Sequence, residues 1–263
     1  MRGLRSVVAA LVALLFNGFL VGQMLATRGA ALVSSREDVT VIREDAVQQR
    51  SVQAGERTVL EVSTTGLVEV VVYEHTGEEG ELAQFQAGGV PRTAKVFSRV
   101  QEVSYPLSSV TEARFYVRVR HLEAGQTQVR YVPGTVDEAM GRLRKGEDLV
   151  RNGGTVRVGG EMLAMAVYQL VPGTVVRVEV RSGKGLVGLL KTRDYLDVRE
   201  GRASLASRCT PATCVDASSG RTVLEVPISD YDDRYLVAEG PGLVFTYQVV
   251  ATPEVLNYIS SCT

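Results

Sequence analysis

The sequence predicts an all-β protein, with two tandem antiparallel β-sandwich domains behind one hydrophobic N-terminal helix. Three observations carry this reading. Alternating apolar and polar residues recur along most of the 263-residue chain, broken by glycine-bearing turns. A block in the first half returns in the second, in the same order and at nearly the same spacing. The first 35 residues hold no acid and carry the long apolar runs. The composition agrees. At 45% apolar the chain is too hydrophobic for disorder and long enough for one large domain or two of ordinary size. A net charge of -1 excludes the basic footprint of nucleic-acid binding. Two His and three Cys leave few soft ligands for a metal, and no cofactor is implied.

Residues 1–35 form the address of the chain. Arg2, Arg5 and the free amine precede 22 uncharged residues, 6–27. About 20 apolar residues span a bilayer, and this run has no polar stripe of the kind a soluble surface helix shows. Its full length predicts an uncleaved anchor, a single N-terminal pass through the cell membrane. The basic start keeps the N-terminus inside and the rest outside. Residues 6–16 alone fit the apolar region of a cleaved signal, with Gly29, Ala30 and Ala31 offering a cleavage site and a secreted product. Arg2-Gly3 ahead of an apolar helix also resembles the signals of pilin-like proteins. All three readings place 36–263 beyond the cytoplasm.

The first domain is read as 36–134. Strand-like runs fall at 58–62, 68–73, 114–120 and 128–132, where Phe-Tyr-Val-Arg-Val-Arg typifies a half-buried antiparallel strand. A linker follows at 135–154. It holds one short helix over 136–145, with Asp137 near its start, Arg144 and Lys145 near its end, and Gly146 as a stop. Asn152-Gly153-Gly154 reads as a turn. The second domain is read as 155–263, with strands at 175–180, 185–190, 222–226 and 243–250.

The duplication rests on two blocks. Residues 54–68 (AGERTVLEVSTTGLV) align with 172–187 (PGTVVRVEVRSGKGLV), with one residue inserted. Gly55 then meets Gly173, Glu61 meets Glu179, and Gly66-Leu67-Val68 meets Gly185-Leu186-Val187. Downstream, Pro106 leads to Arg114-Phe-Tyr-Val as Pro227 leads to Arg234-Tyr-Leu-Val. The spacing from Gly55 to Arg114 is 59 residues, and from Gly173 to Arg234 it is 61. Each unit of about 100 residues suits one small sandwich.

The order within a unit resembles the pre-peptidase C-terminal domains of secreted proteins. The matching residues are Pro172-Gly173, 176–180, 186–190, Tyr235-Leu236-Val237 and 245–249. The resemblance implies jelly-roll-like, non-catalytic modules used in binding or secretion. The Asp and Gly positions usual in that family are not evident here.

Candidate sites are few. Cys209 and Cys214 bracket four residues. A zinc site wants about four ligands, and only Cys262, His75 and His121 remain. The reading is therefore a disulfide, Cys209–Cys214 or one of these with Cys262, in an oxidising compartment. Asp230, Asp232 and Asp233 could approach calcium but lack the Gly and distal Glu of an EF-hand loop, so a solvated turn is preferred. Glu74, Glu78, Glu79 and Glu81 with His75 read as an acidic hairpin tip turning on Gly77 and Gly80. His75 and His121 sit in no recognisable nucleophile context, and there is no Gly-x-Ser-x-Gly elbow. Gly153-Gly154 and Gly159-Gly160 lack the Lys-Ser/Thr of a phosphate loop. Arg outnumbers Lys 25 to 4. Runs such as Arg177-Val-Glu179-Val-Arg181 predict ion pairs on outer sheet faces.

No catalytic, cofactor-binding or metal-ligating residue is predicted. The expected function is non-catalytic binding or assembly at the cell envelope, with a protein partner or by self-assembly. The rivals are a pilin-like filament subunit and a secreted hydrolase whose site is assembled in space.

Overall fold

A computed structural model of the protein describes residues 31–32, 39–75, 77–220 and 222–259. The segment read as an N-terminal helix and Cys262 lie outside the described residues. Among the described residues no helix is long and apolar enough to cross a membrane.

The described chain is all-β with short helical insertions, and nearly all of its strand pairs are antiparallel. Its first half runs β1 (Ala31–Leu32), β2 (Val39–Ile42), β3 (Ala46–Val52), β4 (Arg57–His75), helix α1 (Glu79–Gln86), β5 (Lys95–Ser108), β6 (Ala113–His121) and β7 (Thr127–Val132). Helix α2 (Val136–Arg144) leads to β8 (Leu149–Gly159), β9 (Leu163–Val167), β10 (Thr174–Ser182) and β11 (Leu186–Lys191). Helices α3 (Thr192–Arg199) and α4 (Leu205–Arg208) precede β12 (Cys214–Asp216), β13 (Val223–Pro227), β14 (Arg234–Glu239), β15 (Pro241–Ala251) and α5 (Val255–Ile259). Strand β10 shows why the alternating runs fold as they do. Val176, Val178 and Val180 are buried while Arg177, Glu179 and Arg181 point away from the core.

The pairing scheme of the first half recurs in the second. Strand β4 starts between β7 and the end of β5, then bends and continues between β6 and the start of β5. Strand β2 joins β7, and β3 joins β6. In the second half β10 lies between β15 and β13, and β11 lies between β14 and β12. Strand β8 joins β15, and β9 joins β14. Each set of four-strand pairings is that of a jelly-roll sandwich. Continuity differs between the halves, as the unbroken β5 also shows beside its counterparts β12 and β13. In the first half the chain crosses from sheet to sheet inside β4, near Gly66. In the second it breaks between β10 and β11, at Gly183 and Gly185.

The two halves are welded by backbone hydrogen bonds. Strand β5 pairs with β8 through Val100↔Val156, Glu102↔Thr155, Val103↔Gly154 and Ser104↔Gly153. Asn152-Gly153-Gly154 is therefore mid-strand, not a turn. The glycines are there for space: a Cβ on Gly153 would sit 2.6 Å from the Tyr247 carbonyl oxygen, and one on Gly154 2.4 Å from that of Glu102. The result is one antiparallel sheet in the order β2-β7-β4-β5-β8-β15-β10-β13. A connected hydrophobic core runs beneath it from Ile42 to Val249. At the junction Phe97 meets Tyr105 at a tilt and Tyr168 edge to face, with centroids 5.4 and 5.5 Å apart, and the Val96 amide donates to the Tyr168 hydroxyl at 3.0 Å.

Helices α1, α3 and α4 cover the opposite layer. Helix α1 lays Phe85 over Tyr73 and Tyr116. The acid-rich segment read as a hairpin tip is this helix: Glu79 and Glu81 occupy its first turn, where the backbone dipole favours negative charge. In the second half α3 and α4 bring Val198 and Leu205 onto Leu190 and Val237. Both insertions fall at the same place in the pairing scheme, so in both halves the same sheet is roofed. Helix α2 carries a capping box between Thr135 and Glu138.

Candidate functional site: the open sheet face

Among the described residues no helix covers the outer face of the eight-stranded sheet. Strand alternation puts two rows of side chains across that face. One row reads Val41, Gln128, Ser63, Glu102, Thr155, Thr246, Glu179, Val223. The other reads Val39, Arg130, Glu61, Ser104, Gly153, Gln248, Arg177, Glu225. Both rows begin on an exposed valine of β2, and one ends on the exposed Val223 of β13. Between them the surface is polar.

The middle of this face is a trough of about 570 Å³. Gly153, which lacks a side chain, lies on its floor, between Ser104 and Gln248. The surrounding groups are partly organised. Thr155 Oγ1 donates to Glu102 Oε2 at 2.6 Å, and Arg130 lies 3.9 Å from Glu61. Arg177 pairs with Glu225 at 2.9 Å and with Asp148 at 3.2 Å, and Arg181 with Glu179 at 2.8 Å. These exposed pairs add little to stability. They set out donors and acceptors of both signs over strands from both halves, which suits an extended polar surface. Sequence reasoning identified Arg177, Glu179 and Arg181 as outer-face charges. It missed the trough, because β5 and β8 are brought side by side only by the fold. The signal was Gly153-Gly154 followed directly by alternating Val and Arg.

The sequence-predicted residues fall elsewhere. Cys209 and Cys214 form a disulfide, the pairing within the short loop. It lies against Gly188 of β11, where a Cβ would meet Cys214 Sγ at 2.7 Å. Asp230 and Asp232 are engaged by cations. Lys191 Nζ donates to both, at 2.8 and 2.6 Å, and Arg234 donates to both oxygens of Asp230 at 2.8 and 3.0 Å. Lys191 and Arg234 hold the Asp230 carboxyl down at about 2 from its usual 3.8. Among the described residues no group of three or more His, Cys, Asp or Glu is placed to hold a metal.

His75 sits at the end of β4, its Nδ1 3.5 Å from the Tyr73 hydroxyl. His121 ends β6 in a hydroxyl–imidazole–carboxylate row. Thr127 Oγ1 is 2.8 Å from His121 Nε2, and Asp45 Oδ1 is 3.7 Å from Nδ1. Thr127 is fully buried and its hydroxyl donates to Thr64 at 3.1 Å. A nucleophile must meet its substrate, and this hydroxyl is enclosed. The cluster ties the β6–β7 corner to the bend of β4.

No protein-family model matches the chain, and no curated protein matches its sequence. The resemblance to pre-peptidase C-terminal domains therefore rests on the residues quoted above. Solved structures similar to the chain include the T=1 particle of Penaeus vannamei nodavirus, at 9% identity over 75% of this chain and 80% of that one, TM-score 0.22. The Sulfolobus Turreted Icosahedral Virus structure is 11% identical over 81% of this chain and 58% of that one, TM-score 0.23. The major capsid protein P2 of bacteriophage PM2 is 10% identical over 85% and 96%, TM-score 0.22. Identities and scores this low transfer no function to the chain.

Proposed function

We propose that the chain is a non-catalytic, extracytoplasmic protein of two tandem jelly-roll modules, anchored in the cell membrane by its N-terminal segment. It works by binding a partner protein across the open sheet face. The observation that supports this most is the contrast between its layers. In both halves the helical insertions roof one sheet, while the sheet common to both halves is left open, polar and troughed across the weld. An antiparallel sheet tolerates one solvated face, but a trough assembled from both halves offers a single recognition surface larger than either half alone. A binding role is also what the resemblance to pre-peptidase C-terminal domains implies. The envelope location rests on residues 6–27.

Fractionation of native cells tests the reading. The protein is expected in the membrane fraction, with the β-region digested by protease added from outside and the extreme N-terminus protected. Intact full-length chain in the soluble fraction would overturn the anchor. Ser104→Arg places a long side chain in the trough without touching the core. It is expected to release whatever chain co-purifies with the parent while leaving the melting temperature unchanged.

A further inference from the structure

A second cavity lies where α2 and α5 cross the ends of the strands. It holds about 460 Å³, within the ~300–1,000 Å³ usual for small-molecule sites. Its walls are mainly apolar: Met140 and Leu143 of α2, Leu149 of β8, Ala251, Val255 of α5, and Val171. Arg57 and Arg151 interrupt them, and among the described residues no Asp or Glu lines the space. Among the described residues neither arginine has a carboxylate within ion-pair distance, whereas those of the open face pair with Glu or Asp. Arg57 donates to the Val150 carbonyl oxygen at 3.3 Å. Burial lowers the pKa of both guanidiniums, and Arg57 lowers that of Arg151 further. Two neighbouring half-buried cations without a counter-charge are costly. A bound anion would offset that cost. Gln169 also lines the cavity, and its side chain hydrogen-bonds the Tyr105 hydroxyl. Its backbone sits at φ 63°, a strained value for a non-glycine residue and of the kind found at ligand clamps.

We propose that this cavity binds an amphipathic carboxylate: an apolar acyl chain ending in a carboxylate. The chain lies against Met140, Leu143, Leu149 and Val255. The carboxylate meets Arg57 and Arg151. The proposal is independent of the open face and of the anchor.

Calorimetric titration of the full chain in lipid nanodiscs, with empty nanodiscs subtracted, uses octanoate and its methyl ester as probes. The acid is expected to bind at least tenfold more tightly than the ester. Arg57→Gln and Arg151→Gln are each expected to erase that preference while melting no lower than the parent, since each removes an uncompensated charge. Equal binding of acid and ester, no binding of either, or a preference that survives both substitutions would overturn the proposal. Should the arginine variants fail to fold, Met140→Trp fills the cavity from the half-buried face of α2. Acid binding that persists in it is equally fatal.

Discussion

At the scale of the residue, the glycines carry the repeat. Gly55 and Gly173, aligned by sequence alone, share a left-handed backbone at φ 81° and 87°, where a side chain would be strained. Gly66 and Gly185, also aligned, both mark the corner where the chain leaves one sheet for the other. A Cβ would lie 2.8 Å from the Ala124 carbonyl oxygen at the first and 2.2 Å from that of Glu239 at the second. These positions were legible because a turn and a close approach each demand glycine. Gly154 was misread because the same demand arises inside a strand when two neighbours press on it. Gly154→Ala is expected to cost about 3 kcal/mol, read as a fall of about 10 °C in Tm. Gly80→Ala in α1, where the space is open, is expected to stabilise by about 0.5 kcal/mol.

Asp230 gives a pH dependence at the same scale. Its carboxyl titrates near 2 in the folded chain against 3.8 without its partners. A depressed folded value contributes stability that is complete above about 4 and is lost as pH falls towards 2. Asp230→Asn lacks this contribution at every pH. The Tm gap between parent and variant is expected to be full at pH 5, smaller at pH 3 and mostly gone at pH 2, closing only below it. A gap independent of pH would show that Lys191 and Arg234 are not its cause.

At the scale of the element, strands were far more legible than insertions. The alternating runs at 58–62, 114–120 and 175–180 lie within β4, β6 and β10, because a half-buried strand writes its period into the sequence. Helix α1 was not legible. It is eight residues long, with two glutamates in its first turn and Phe85 as its one fully buried side chain, so its composition reads as a polar turn. The α3–α4 insertion holds Tyr195 stacked on Tyr235 with centroids 4.1 Å apart, and its end is fastened to β12 by the Cys209–Cys214 bond. Closing so short a loop stabilises by about 2 kcal/mol in the chain-entropy account. Cys209→Ser with Cys214→Ser is expected to lower Tm by about 5 °C. Hydrogen exchange should rise in 192–216 and stay unchanged in β2 to β7. Equal loosening throughout would mean that the disulfide does more than strap the insertion.

At the scale of the whole molecule, the continuous sheet and core decide how the halves behave. A duplication invites the picture of two beads on a short link. The β5–β8 ladder and the Phe97–Tyr105–Tyr168 cluster instead make the halves share hydrogen bonds and buried surface. The shortness of the link implies that the halves touch, but which strands meet was not readable in advance, since strand partners distant in sequence leave no local mark and the edge of a β-sandwich looks like any other strand. Unfolding is expected as one calorimetric transition with equal calorimetric and van't Hoff enthalpies. Two resolved transitions would mean that the weld is weaker than either half.

On the proposed function, the open eight-stranded face is where the protein meets its partner. A photo-crosslinking residue placed at Ser104 in the trough, and in a control chain at Lys184 in the exposed β10–β11 corner, tests it directly in native cells. The account predicts one discrete cross-linked product from Ser104, absent from Lys184 and lost when Thr246→Arg fills the trough. No product from Ser104, or the same product from both positions, would contradict it.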